Sequence, residues 1–416
     1  MERDIMDDAY RDLAITSANP ATVAAIHDFA HELISHGSGA GAILLAAEAD
    51  LEAPLAGAYA AAACLTLMTR EGQQRAAKAL AAAIARHGTA NPREQQTIAA
   101  VTAWHQGDEA KAVRILRGIV EVWPHDLAAM KLCQILEINL GDVRGMLRTS
   151  GMAAAVAGRS GYALGLHAFA LEQAGESNLA MRFARRAIEH HPGMDPWAEH
   201  CVAHAFAANG QRAEGRAFLH AHSGGWDRCS SFMLTHNWWH LALFELELDN
   251  MPIAFDLLVR RIWGVRKAHS QDQINAISML ARLEIDGLDA PDIWDDIAGH
   301  VEGRSGDNIN VFLDLHCLYA LAKAGRDRTV ADMLERFDPQ TVAGAAAHGL
   351  AAHARREYLH AASIIAPFRN DFHALGGSNV QRGLFDCIFA DSVVRCRDMA
   401  LEGGEHALMV RFDVAA

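Results

Sequence analysis

Five glycines set the frame for this chain. Gly72, Gly107, Gly141, Gly175 and Gly210 follow one another at intervals of 35, 34, 34 and 35 residues. Each lies between two stretches with helical apolar spacing, so the sequence predicts helical hairpins repeating about every 34 residues, the period of tetratricopeptide (TPR) arrays. Residues around the turns agree with that reading. After Trp104-His105-Gln106-Gly107-Asp108, Ala112 and Leu116 fall on the packing side, and Pro124 closes the unit. The Gly175-Glu176 hairpin repeats the arrangement with Ala180, Ala184, Ala187 and Pro192. Small residues let neighbouring helices approach closely, and proline stops the second helix before the next begins.

After Gly210 the phase drifts. The next turn is expected at Asp249-Asn250, beyond an insertion around Ser223 to Cys229, and a later one at Gly325-Arg326. Further helices are expected over 274–283 and 293–301, then a last pair over 348–365 and 378–400, the second capped by Ser378. In the first 40 residues Asn19 caps a helix that opens with Pro20, carries Ile26, Phe29, Leu33 and Ile34 on its apolar side and ends at Gly37. The expected organisation is an N-terminal helix and linker over 1–40, a continuous TPR-like superhelix over 41–400, and a short tail over 401–416. The fold class is all-α: an α-solenoid of helical hairpins, with C-terminal helices placed to close it around a central pocket. Each hairpin hides its apolar side only against its neighbours, which favours one continuous array.

Composition supports this and removes some functions. Hydrophobic residues make up 51% of the 416, alanine is abundant, and β-branched runs are scarce. With 37 Lys and Arg against 51 Asp and Glu, the formal charge is −14 and no basic stripe exists, so nucleic acid is not an expected partner. An anionic membrane surface is not expected either. The uncharged stretch over 53–69 begins with Pro54 and is alanine-rich, and is read as a buried helix rather than a membrane span. Seven scattered cysteines without a Cys-x-x-Cys pattern, and an acidic start without an apolar segment, point to a reduced, cytoplasmic protein. No cofactor motif is found. Gly37-Ser38-Gly39-Ala40-Gly41 lacks the Lys-Ser/Thr of a phosphate loop and reads as a linker, and Gly158-Arg159-Ser160-Gly161 reads as a turn.

Candidate chemistry concentrates over 195–240. His200 and His204 form one His-x-x-x-His pair, and His236 and His240 a second that starts 36 residues later, close to one repeat. Residues four apart share one side of a helix. In a TPR hairpin the first helix faces the inner surface. His200 lies ten residues before Gly210 and His240 ten before Asn250, so they take equivalent inward places; His204 and His236 sit one turn from them. By the same logic Glu172 and Tyr162 point inward from the Gly175 hairpin and Lys131 from the Gly141 hairpin, with Trp239 as an aromatic wall.

Three uses compete. The imidazoles of His204, His240 and His200 could move protons, or they could hydrogen-bond a ligand together with His236, Trp239, Glu172 and Tyr162. A metal comes third, since His200-Cys201-Val202-Ala203-His204 lacks the glutamate of the zinc-protease sequence His-Glu-x-x-His, and no metal ligand is assigned. Packing histidines satisfied by neighbouring helices are the bland counterpart. Asp314 and His316 are further candidates, although residues two apart do not share a helix side and so form no dyad. Gln381 and Arg382 open the last helix, where the helix dipole and the guanidinium favour an anion. His348, His353 and His360 have mixed spacing and are expected to be solvated, and Cys201 is not expected to act as a nucleophile.

The phased repeats, the string His236-Asn237-Trp238-Trp239-His240-Leu241-Ala242-Leu243 and the late Gly376-Gly377-Ser378-x-x-Gln381-Arg382 together resemble the tetratricopeptide repeat protein 38 family over nearly the whole chain. The resemblance implies a TPR-like superhelix and no particular reaction. Asn379 stands where the pattern often has histidine, and Asn275 where it tends to be acidic, whereas Arg282 matches. The functional expectation is a His/Trp pocket that binds a small polar or anionic molecule and performs acid/base or hydrolytic chemistry on it, of hydrolase or lyase type. A scaffold that holds a peptide in an open groove is the alternative, followed by a metal-dependent hydrolase.

Overall fold

The computed structural model describes residues 9–156 and 160–402, with side chains to residue 398. Among these the chain is all-helical, and the one β-type pairing is an isolated antiparallel bridge between Gly37 and Cys229. The acidic start over 1–8, Gly158 and Arg159 of the expected turn, and the tail from 403 onward lie outside the described residues. The chain divides into two compact units, Met1–Leu257 and Leu258–Ala416.

The first unit contains α1 (Pro20–Ser35), α2 (Ile43–Ala49), α3 (Pro54–Leu65), α4 (Arg70–Ala85), α5 (Pro92–His105), α6 (Glu109–Val122) and α7 (Leu127–Asn139). It continues with α8 (Val143–Val156), α9 (Gly161–Gln173), α10 (Ser177–His190), α11 (Pro196–Ala208), α12 (Arg212–His222), α13 (Ser231–Glu247) and α14 (Met251–Leu257). From α3 onward, helices pack as sequential pairs, and several first helices also pack on the first of the next pair: α3 on α5, α7 on α9, α9 on α11, α11 on α13. The two kinds of helix are buried differently. In α9, α11 and α13 almost every side is covered, whereas α10 buries only Ala180, Ala184 and Ala187, and α12 only Gly215 and Leu219. First helices are therefore sandwiched, and polar side chains on them must find partners inside the fold.

One turn joins the hairpins. At Gly107, Gly141, Gly175 and Gly210 the backbone is left-handed, with φ of 80, 67, 85 and 69°. The following amide (Asp108, Asp142, Glu176, Gln211) donates to the carbonyl five residues back (Ala103, Glu137, Leu171, Phe206) at 2.8–2.9 Å. This is the glycine-closed helix end in which a residue without Cβ turns the chain and the last carbonyls are satisfied. Asp249, at φ 61°, makes the same closure without glycine, Asn250 donating to Glu245 at 2.8 Å. Gly72 corrects the expected phase. It lies in the first turn of α4, and Met68, at φ 52°, takes the left-handed place. Gly72 is small for a different reason: a Cβ there would come within 2.4 Å of the Cys64 carbonyl.

The second unit holds α15 (Ser270–Ile285), α16 (Pro291–Val301), α17 (Val311–Lys323), α18 (Asp327–Leu334), α19 (Val342–Ala354), α20 (Tyr358–Ile365) and α21 (Asn379–Glu402). The same closure recurs at Gly287, Gly325 and Arg356, with Leu288, Arg326 and Glu357 donating to Leu283, Leu321 and Ala352 at 2.9 Å. Arg356, at φ 65°, splits the single helix expected over 348–365 into α19 and α20; a non-glycine residue in the turn gave no signal for the break.

Candidate functional site

Everything in the histidine cluster belongs to the first unit. Asp195 caps α11, its Oδ1 accepting from the Ala198 amide at 2.9 Å, and Pro196 opens the helix. That start places Trp197, His200 and His204 one turn apart along the side that meets α9 and α13. On α13, capped by Ser230, His236 and His240 occupy the side that meets α11. The four imidazoles are 1, 0, 2 and 1% exposed for His200, His204, His236 and His240. One ring nitrogen from each lies within 4.8 Å of the others.

The hydrogen bonds around them are asymmetric. His204 Nδ1 is 3.0 Å from Glu172 Oε2, a carboxylate on α9 that is itself buried and also accepts from Gln173 Nε2. A carboxylate accepts only, so Nδ1 carries a proton, and in the neutral ring Nε2 is the nitrogen with the lone pair. That Nε2 is buried without a hydrogen-bond partner. His200 and His236 meet Nε2 to Nε2 at 3.1 Å, so a single proton serves both nitrogens, and His200 Nδ1 is buried without a partner. Burial first, and the three neighbouring imidazoles and His36 after it, hold His200 well below the usual histidine range. Its neutral form is the one with a free lone pair. Trp239 is fully buried and stacks flat on His236, centroids 5.1 Å apart at 12°, with Phe232 stacking at 5.2 Å. Trp239 thus fixes a ring rather than lining open space.

Three further residues border the cluster. Trp197 lies 4.7 Å from the His200 ring, and His36, the C-cap of α1, stacks on Trp197 at 4.8 Å and 17°. Lys131 of α7 places its Nζ 3.4 Å from the Trp197 ring centre. His36 is held there because Gly37 bridges Cys229 and the His36 carbonyl accepts from the Ser230 amide at 2.7 Å. The glycine segment after α1 is therefore tied to the start of α13. The sequence offered no sign of this, since the contact spans nearly 200 residues. On the far side of α11, Glu199 accepts from Trp226 Nε1 at 2.8 Å, and burial pushes its carboxyl up to about 7.

Other sequence candidates sit in different surroundings. Tyr162 stacks on His191 at 4.3 Å and meets His31 edge-on. It begins α9 ten residues before Glu172, about 15 Å along the helix. In the second unit, His316 Nδ1 donates to the Phe312 carbonyl at 2.7 Å, the ring packs on Phe385, and burial pushes its pKa down to about 4. Asp314 feels Arg336, Asp307 and Arg304 instead, burial pushing it up to about 7, and forms no dyad with His316. Gln381 completes a capping box: its Oε1 accepts from the Ser378 amide at 2.9 Å while Ser378 Oγ accepts from the Gln381 amide at 3.3 Å. Arg382 donates to the Gly377 carbonyl, to the Gly376 carbonyl at 3.4 Å and to Asn379 Oδ1 at 2.5 Å, tying down the glycine turn. His353, expected to be solvated, is 6% exposed and links Tyr319 (3.1 Å) to Asp391 (2.9 Å) across α17, α19 and α21. Cys201 is buried, and burial pushes its thiol well above the usual range.

No family model matches this sequence.

Proposed function

We propose that His200, His204, His236 and His240 bind a divalent first-row transition metal, which acts as a Lewis acid on a small polar or anionic molecule that enters as a fifth ligand. The observation that carries this is His204. Its Nδ1 is held by the Glu172 carboxylate while its Nε2 lone pair is left bare among three other imidazoles, the carboxylate–histidine–metal arrangement of protein metal sites. Four neutral imidazoles are a good donor set for zinc, iron, nickel or copper. A tetrahedral ion at about 2.0–2.1 Å from each nitrogen needs nitrogens about 3.3 Å apart. The 3.1 Å His200–His236 contact already meets that spacing once its shared proton shifts to the other nitrogen of the ring that carries it, and no pair, all lying within 4.8 Å, needs to draw in by more than about 1.5 Å. Buried imidazole nitrogens without partners cost about 1–3 kcal/mol each, and their concentration at one point favours an occupant with empty orbitals. The same burial weighs against a groove for a peptide, which needs exposed side chains.

We further read the hairpins as TPR-like repeats of a tetratricopeptide repeat protein 38 type. The recurring left-handed turn and the packing of successive first helices support this. Among the described residues no helix is long and apolar enough to cross a membrane, and all seven cysteines are free, which supports a reducing compartment.

Loading with Co²⁺ tests the metal reading. Wild type is expected to take up one ion per chain with a visible absorption band from nitrogen ligation, and His204→Ala to take up none while keeping its helical circular dichroism. Equal uptake by both proteins overturns the reading.

A further inference from the structure

Lys131 is 3% exposed, yet makes no hydrogen bond or ion pair among the described residues. Its one contact of this kind is the face of Trp197. Burying an ammonium costs several kcal/mol, and a cation–π contact returns about 2 at most. Asp195, whose charge reaches Lys131, caps α11 through Oδ1 and forms no ion pair with the ammonium among the described residues. Burial accordingly drives Lys131 down to about 7. Two more polar atoms nearby lack a hydrogen-bond partner: the donor Trp197 Nε1, and His36 Nε2, a donor in one tautomer of the ring, both buried. All three groups meet at one indole, and that indole touches His200. Charge points the same way. Four neutral imidazoles bring no negative charge to a divalent ion, Glu172 is the carboxylate bonded to the cluster, and a protonated Lys131 adds one more positive charge.

We propose that Lys131, Trp197 and His36 bind the carboxylate or other oxyanion group of the small molecule that the neighbouring histidine centre acts on. This deepens the metal reading and rests on it for the second half of the statement, while the anion subsite stands on its own residues. Binding brings an acceptor to the ammonium and to Trp197 Nε1, selects the His36 tautomer with a proton on Nε2, and restores the ammonium's charged form.

The test uses acetate and inorganic phosphate as probes, titrated calorimetrically into metal-loaded wild type and Lys131→Met. Wild type is expected to bind at least one of them, and Lys131→Met to bind it at least tenfold more weakly with unchanged metal content. Equal affinity in both proteins, or no binding of either anion to wild type, overturns the proposal. If wild type takes up no metal, the metal reading fails alone, and the same titrations on metal-free protein must still depend on Lys131. Thermal unfolding without anion gives a second readout. Removing a buried, unpaired ammonium should raise the melting temperature of Lys131→Met, and a lower one means the ammonium has a partner within the fold, which also overturns the proposal.

Discussion

Replacing Glu172 with glutamine separates a metal-orienting carboxylate from one that only packs. Glu172 is 3% exposed and lies 3.0 Å from the ring nitrogen of a fully buried His204. Glutamine keeps the size and an accepting oxygen, so the imidazole retains its place and tautomer, but the negative charge behind it is lost. Loss of such a partner costs 10- to 100-fold in metal affinity, or about 1.4–2.7 kcal/mol. In a site this dry the effect belongs toward the upper end, because little water screens the charge. The assay is competition for zinc between each protein and a chromophoric chelator. Glu199→Gln serves as control, because Glu199 is equally buried on the neighbouring helix but bonds Trp226. The expectation is a 10- to 100-fold weaker zinc complex for Glu172→Gln and a change under threefold for Glu199→Gln. If Glu172→Gln binds zinc like wild type with its helicity intact, the carboxylate does not act through His204 and the reasoning fails.

Other outcomes follow from the same geometry. His240→Ala should abolish metal uptake while circular dichroism keeps the helical signal, since α13 holds its place through Trp239 and its neighbours; simultaneous loss of helicity would favour a packing role. His316 gives a pH dependence. Its folded pKa, about 4, lies below the unfolded value of 6.5, so between those values the unfolded chain binds more protons. Its stability contribution is complete above 6.5 and falls as pH drops, so wild type should lose about 2 kcal/mol more than His316→Gln between pH 7 and 5 by urea unfolding. Equal losses would refute the burial argument. Glycine substitutions separate conformation from packing. Gly175→Ala meets nothing within 4 Å but must adopt φ 85°, costing about 1–2 kcal/mol. Gly215→Ala places a Cβ 2.4 Å from the buried Phe244 ring, costing about 1–3 kcal/mol by overpacking. Differential scanning calorimetry reads both, and an unchanged melting temperature for either would contradict it.

The hairpin turns were legible where glycine alone satisfies a left-handed residue, as at Gly107 and Gly175. They were illegible at Arg356, where an ordinary residue adopts the same conformation, and misleading at Gly72, where glycine answers a close approach to Cys64. The four histidines could be read because spacing along a helix and spacing between repeats are both local arithmetic. Glu172 followed from the same phase. Tyr162 did not join them, since ten residues of helix carry it a distance that an inward-facing rule does not measure. His36 could not be anticipated, because a pairing between Gly37 and Cys229 delivers it. Gln381 and Arg382 were read as ligand groups, yet their chemistry is first met by the backbone of their own helix start.

The measurement closest to the central claim is a crystal structure of protein supplied with zinc, with diffraction recorded on both sides of the zinc absorption edge. The account predicts one anomalous peak about 2.0–2.1 Å from a nitrogen of each of His200, His204, His236 and His240. Clear density for all four rings with no anomalous peak among them would contradict it.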